Sequence, residues 1–286
     1  MRVLVAGRGW LAVRGAKAVQ ATTGLLGLDV TLEVARNRND DGRDDWLPSL
    51  VALAMRAGWP VHDRVEAAAL GPADVLMSLQ HDRVVDCDAL AGAAAYNLHF
   101  AALPRYRGSL SAALPVRHGE PTVGVTLHVL TPVVDAGPVI ETRVFPLPAF
   151  TSAYELYREY HAHGFELLAA HLPDLLCGTV KASPQDETQA TTFLRSAIDF
   201  ADRELTDFDR DAVQVRNWCR SLIFPPEQFP TYRGREIVSC YLPAPGCRPH
   251  EARPPGTELY ADADQVVVAC ARGEICLELG PLSADL

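Results

Sequence analysis

Short apolar runs alternate with longer amphipathic stretches through the first half of the chain. Residues 2–6 form an apolar run ending in glycine, a helical stretch follows to about Thr22, and a strand is expected near 28–35. A helix at about 47–58 precedes Gly58-Trp59-Pro60. The run Asp74-Val75-Leu76-Met77-Ser78-Leu79 leads to a short helix, and Ala94-Ala95-Tyr96-Asn97-Leu98 completes the series. Strands separated by helices of this length predict βαβ units, and so an α/β fold with a doubly wound, mostly parallel sheet. Ligands of such sheets bind beyond the carboxyl ends of the strands, and Asn97 and His99 sit at such an end.

Residues 123–130 alternate apolar and polar, and 138–145 do so again after Asp135-Ala136-Gly137-Pro138, which predicts two strands joined by a loop holding Asp135. Ser152 and Glu155 form a capping box at the start of a long helix. Along it Tyr157, Tyr160, Gly164, Leu167, Leu168, His171, Leu172 and Leu175 recur at helical spacing, up to Cys177-Gly178. The pattern then turns polar and irregular. It divides the chain into a domain over 1–182, a linker over 183–204 and a small C-terminal α/β-rich subdomain over 205–286. That last part holds a helix at about 210–222, a bend at Phe224-Pro225-Pro226 and short strands near 235–241, 256–261, 265–270 and 274–280. Its β elements offer edges that a homodimer would cover.

Composition narrows the partners. At 286 residues the chain can bury a sizeable core. Its 26 basic and 36 acidic residues leave a net charge of 26 − 36 = −10, with no Lys/Arg run to offset it, which argues against nucleic acid. Seven cysteines without a C-x-x-C pair read as reduced thiols packed as small hydrophobes. No apolar stretch approaches the ~20 residues of a membrane span. The opening residues are too soon broken for a secretory signal, so the cytoplasm is the expected compartment.

Several constellations carry candidate chemistry. Gly7-Arg8-Gly9-Trp10-Leu11-Ala12 matches G-x-G-x-x-A after a first strand, as in dinucleotide-binding oxidoreductases. Trp10 adds bulk where a pyrophosphate would approach, and Asp29 does not end the second strand as a ribose ligand should. His161 and His163 are two apart on a helix, on different faces, and no metal is expected there. His128 lies mid-strand among apolar neighbours and reads as structural. Asp40-Asp41-Gly42-Arg43-Asp44-Asp45 reads as a solvated loop. Asn97 and His99 emerge on one face of a strand, and Asp135 must arrive from another. Residue types alone favour the plainer reading of these three as a turn former, a packed ring and a loop acid.

The surrounding block changes that. Asn97-Leu98-His99-Phe100-Ala101-Ala102-Leu103-Pro104-Arg105-Tyr106-Arg107-Gly108 continues through Gly119-Glu120 and Gly124-Val125-Thr126-Leu127-His128 to Asp135-Ala136-Gly137. It resembles the signature of the folate-dependent formyltransferases, which include glycinamide ribonucleotide transformylase, methionyl-tRNA formyltransferase and the sugar-nucleotide N-formyltransferases. The similarity covers about residues 70–180 and, loosely, the first strand. The chain departs from the family pattern at Phe100-Ala101-Ala102 and Gln80-His81-Asp82.

The resemblance implies a Rossmann-like formyltransferase fold and an enzyme that moves a formyl group from N10-formyltetrahydrofolate to a primary amine. It implies Asn97, His99 and Asp135 as the catalytic group. Asn97 and protonated His99 would donate to the oxyanion, with Asp135 orienting His99 and favouring its charged form. Arg83, Val84 and Val85 match positions that contact folate in relatives, and the loop Thr131-Pro132-Val133-Val134 would close over the pteridine. The acidic balance and small C-terminal part point away from tRNA and toward a small-molecule amine, most of all a nucleotide-linked amino sugar, with Arg105, Tyr154 and Tyr157 placed to pair with or stack on the nucleotide. N-formylation of an amino acid, a peptide-type amine or methionyl-tRNA is the alternative. An NAD(P) oxidoreductase and a non-catalytic folate or nucleotide binder are the remoter ones.

Overall fold

A computed structural model describes residues 1–225, 227–243 and 253–281. Pro226, assigned to the bend, and Cys247, assigned as a thiol, lie outside the described residues.

Two compact units emerge. The first comprises Met1–Ser109, Gly124–Phe145 and Glu159–Phe193; the second comprises Leu110–Val123, Pro146–Arg158 and Leu194–Leu286. The main sheet has seven strands in the order β3-β2-β1-β4-β5-β7-β8. They are β1 (Arg2–Gly7), β2 (Thr31–Arg36), β3 (Val61–His62), β4 (Val75–Leu79), β5 (Ala94–His99), β7 (Thr122–Val129) and β8 (Val139–Pro146), while β6 (Arg107–Gly108) and β9 (Thr192–Phe193) form a separate parallel pair. β1 to β5 run parallel, and β7 joins β5 antiparallel. The sheet is therefore mostly parallel, as the pattern predicted. Val3, Leu4, Val5 and Ala6 are all fully buried, as a central parallel strand covered on both faces requires.

Helix α1 (Gly9–Leu26) runs one turn beyond the expected Thr22, which delays β2 to Thr31. Helix α2 (Leu50–Ala57) starts later than the expected 47, because Ser49 caps it by accepting from the Ala52 N–H. The short helix expected after β4 is a single 3-10 turn at Asp88–Leu90. The G-x-G turn has a packing reason: Gly7 has φ +148, and a Cβ there would collide with the Leu79 carbonyl of β4.

The acidic stretch is more than a solvated loop. Asp40 is fully buried and accepts from Ser49 Oγ at 2.5 Å and Leu50 N at 2.9 Å, and Asp45 pairs with the buried Arg8 at 2.6 Å. A carboxylate at a helix N-terminus meets unpaired N–H groups and the positive end of the dipole, which offsets its burial.

In the second unit lie helices α3 (Ala113–His118) and α5 (Ala212–Leu222) and the first residues of α4 (Ala153–Cys177). The Ser152/Glu155 capping box forms, with Ser152 N donating to Glu155 at 2.7 Å and Glu155 N to Ser152 Oγ at 3.2 Å. A second box, Asp211/Gln214, starts α5. An antiparallel sheet in the order β10-β11-β14-β13-β12 completes the unit, built from β10 (Thr231–Tyr232), β11 (Arg235–Tyr241), β12 (Glu258–Ala261), β13 (Gln265–Ala269) and β14 (Glu274–Leu279). Phe208, Val215, Cys219, Ile237 and Leu277 fill its core.

Candidate active site

The β5–β7 pair builds the site. Antiparallel register sets Asn97 opposite His128 and His99 opposite Thr126. Asp135 comes from the β7–β8 connection, which turns back over β5 with Asp135 itself at φ +53. Gly137 allows this return, since a Cβ there would collide with the Val129 carbonyl. One carboxylate then gathers the polar groups. Asn97 Nδ2 donates to Asp135 Oδ1 at 3.3 Å, and the Gly108 N–H donates to Oδ2 at 2.8 Å. His99 Nδ1 lies 3.5 Å from Oδ2, and His128 Nε2 lies 3.6 Å from Oδ1.

His128 read as a structural histidine, yet it belongs to this cluster. It is fully buried; Nδ1 stands 2.9 Å from the Val129 carbonyl and Nε2 stands 3.0 Å from Asn97 Nδ2. A carbonyl partner requires N–H on Nδ1, which leaves the Nε2 lone pair to accept from Asn97. Both N–H bonds of Asn97 are thus engaged, one with His128 and one with Asp135. The sequence signal was the period-two sharing of a face by Thr126 and His128, two polar residues in an otherwise buried strand.

His99 is buried, and its Nε2 donates to the Tyr106 carbonyl at 2.8 Å. Burial pushes its pKa down, and the opposing pull of Asp135 and the Tyr106 carbonyl does not reverse this; His128 adds to the fall. His99 is therefore neutral in the resting site, with its Nδ1 lone pair facing Asp135. The sequence led us to expect a charged imidazole, because a partner carboxylate is legible there and the depth of burial is not. Burial raises the Asp135 carboxyl, but in the acid range where it titrates His128 and His99 in their charged forms, with the Gly108 N–H, outweigh burial and hold the pKa at about 2. The site thus pairs a fixed anion with a neutral base.

Other candidate residues fall in separate places. Arg83 is half-buried; its Nε has no hydrogen-bond partner, and Asp82 Oδ1 lies 3.9 Å away. Val84, Val133 and Val134 are exposed, whereas Val85 is buried in an apolar cluster that Leu130 also joins, so both loops are rooted in one core. Thr131 Oγ1 donates to the Val133 carbonyl at 3.1 Å, which bends the Thr131–Val134 loop around Pro132. Arg105 is exposed, with its guanidinium carbon 5.4 Å from the Tyr106 ring centre. In the second unit, Tyr154 and Tyr157 pack on Phe224 at ring distances of 5.3 and 5.5 Å. Among the described residues no group of three or more His, Cys, Asp or Glu is arranged to hold a metal ion, and no helix is long and apolar enough to cross a membrane. Cys87, Cys177, Cys219, Cys240, Cys270 and Cys276 are unbridged.

A mostly parallel sheet with an antiparallel β subdomain is the fold of known N-formyltransferase structures. The N-formyltransferase from Helicobacter canadensis, solved with folinic acid and dTDP-3-aminofucose, superposes with a TM-score of 0.84 at 23% identity over 97% of this chain and 99% of that one. WlaRD, a sugar 3N-formyl transferase solved with dTDP and 5-N-formyl-THF, gives a TM-score of 0.83 at 20% identity over 100% and 99%. Residues 74–172 match the formyl transferase family model. A methionyl-tRNA formyltransferase from Roseiflexus castenholzii is 32% identical over 183 residues, 64% of this chain and 56% of the relative. One from Myxococcus xanthus is 29% identical over 181 residues, 63% and 56%. The matched stretch thus spans about half the length of these curated relatives.

Proposed function

We propose that the chain transfers a formyl group from N10-formyltetrahydrofolate to a primary amine of a small molecule, most of all a nucleotide-linked amino sugar. The observation that carries this is the convergence of Asn97, His99 and His128 on Asp135 within 3.3–3.6 Å. The folate supplies an activated one-carbon unit on N10. The orphaned Nε of Arg83 and the exposed valines of two loops rooted in one core suit a flat, polar-edged heterocycle.

Neutral His99 takes the proton released by the attacking amine at Nδ1. The imidazolium so formed faces the Asp135 carboxylate, which stabilises it. Asn97 can release its longer hydrogen bond to Asp135 and turn that N–H toward the negative charge growing on the formyl oxygen. A donor so placed is worth about 3 kcal/mol of transition-state stabilisation. The proton on His99 then serves the departing nitrogen.

For the amine, the ligands of the structural neighbours and the full-length fold match support an amino sugar. The net charge of −10 opposes RNA, whose binding would need cationic surface. The test incubates the protein with N10-formyltetrahydrofolate and thymidine-linked amino sugars, guanosine-linked amino sugars, free amino acids and methionyl-tRNA. Mass spectrometry should find a formyl increment on a nucleotide-linked sugar. Transfer to methionyl-tRNA alone would move the assignment there, and no transfer to any amine, with saturable NADH binding, would overturn it.

A further inference from the structure

The polar stretch before β9 is bonded into the first unit at the candidate site. Gln185 Nε2 donates to the carbonyls of Asp135 and Gly137, at 2.8 and 2.7 Å, so a single amide nitrogen clamps the turn that carries the Asp135 carboxylate. Its orientation is fixed from the other side. Gln185 Oε1 accepts from Arg107 Nη2 at 2.8 Å and from Nε at 3.2 Å, which leaves only the NH2 end to face the turn. Arg107 is buried and also grips Glu187, with Nη1 and Nη2 donating at 2.9 and 2.7 Å.

The same stretch holds the segment on which both His99 and Asp135 lean. Tyr106 N donates to Thr191 Oγ1 at 2.8 Å, Arg107 N to the Thr191 carbonyl at 2.8 Å and Ser109 N to the Phe193 carbonyl at 2.9 Å. The Tyr106 and Phe193 rings stack at 5.4 Å. Within that segment the Tyr106 carbonyl receives His99 Nε2 and the Gly108 N–H binds Asp135 Oδ2.

We propose that Gln185, oriented by Arg107, is a positioning residue that fixes Asp135 against His99. Asp135 needs such a clamp because it sits in a left-handed conformation, φ +53, that a non-glycine residue adopts only when its surroundings hold it there. Only the expected effect on rate rests on the formyl-transfer reading; the effect on His99 does not.

The test titrates the His99 ring by NMR in the full chain, in wild type, Gln185→Ala, Gln185→Met and, as reference, Asp135→Asn. Methionine keeps the length of glutamine and removes its polar end, so a poorly folded alanine variant leaves the question decidable; melting curves report folding. The ionisable groups facing His99 are Asp135 from the loop and His128 from β7. Of these Asp135 raises the His99 midpoint, so losing its placement should lower the midpoint toward that of Asp135→Asn. With it kcat should fall by about 10-fold or more while KM for folate and amine stays within about 2-fold, the pattern of an interaction used in the transition state. An unchanged His99 midpoint in a folded Gln185→Met protein overturns the proposal. If the midpoint moves but wild type formylates no amine, the positioning stands and the functional reading falls.

Discussion

His128 Nε2 stands 3.0 Å from Asn97 Nδ2 across the β5–β7 pair, and this one contact sets which end of the Asn97 carboxamide faces inward. Because the Val129 carbonyl takes the other ring nitrogen, His128 can only accept from Asn97. The carboxamide is thereby held with its NH2 group toward Asp135, ready to exchange one hydrogen bond for another.

Replacing His128 should therefore reach the chemistry through Asn97. His128→Phe removes the acceptor and should cost about 100-fold in kcat, on the scale of losing one oxyanion donor, with KM little changed. His128→Gln keeps an acceptor and should recover part of the loss. Steady-state kinetics on both variants checks this, and equal rates for Gln and Phe would disprove the orienting role.

His99→Ala should remove more than ~100-fold of the rate, the scale of general acid–base catalysis. The pH profile carries the finer test. In the proposed mechanism the working form is neutral His99, so kcat/KM should fall as pH drops through its pKa, which burial places below the ordinary ~6.5. Asp135→Asn takes away the charge that opposes this fall and should move the acid limb further down in pH. A limb above 6.5, or one that Asp135→Asn moves upward, contradicts the assignment.

Much of this site was legible in the chain. Asn97 and His99 share a strand face because the side-chain period is two, and Asp135 follows from the loop between two alternating runs. What could not be read were relations set by tertiary context. His128 looked inert because its partners lie across a strand pair, and the pairing register is not written locally. Residues 183–204 read as a linker in the sequence, and the bonds that Gln185 and Thr191 make to backbone groups 48–85 residues away carry no local signal. The charge state of His99 depends on depth of burial, which no residue list carries. In the fold, β1, β4 and β5 were plain as apolar runs, whereas the start of α2 shifted because its cap came from Asp40 and Ser49.

Asp40 gives a stability test separate from catalysis. Its carboxylate is fully buried and accepts from Ser49 Oγ, Leu50 N and Val51 N, at 2.5, 2.9 and 3.3 Å. Asp40→Ala strands the first donors of α2 in a buried setting and should cost about 2–3 kcal/mol. Urea unfolding measures it, and the folded fraction should keep its turnover. A loss under about 0.5 kcal/mol would mean that water replaces the carboxylate freely.

His161 predicts a pH dependence of folding that the reaction does not share. It is buried on α4, edge-on to the Phe100 ring at 5.0 Å. Burial, reinforced by Arg14, pushes its pKa down to about 4, against about 6.5 in an unfolded chain. A depressed histidine leaves folding unpenalised above the unfolded value. As pH falls below ~6.5 the unfolded chain takes up a proton that the folded one refuses, and stability drops until the folded pKa near 4 is passed. The full drop is about 3 kcal/mol. His99, also depressed by burial, adds to the loss as pH falls below ~6.5, whereas Asp135, with a pKa of about 2, contributes its loss below about 4. Denaturant unfolding from pH 7 to pH 4 should therefore show a steady decline in wild type and a shallower one in His161→Phe, which fills the same space without a titrating group. Parallel curves for the two proteins would show that His161 takes up its proton in the folded state as readily as in the unfolded one.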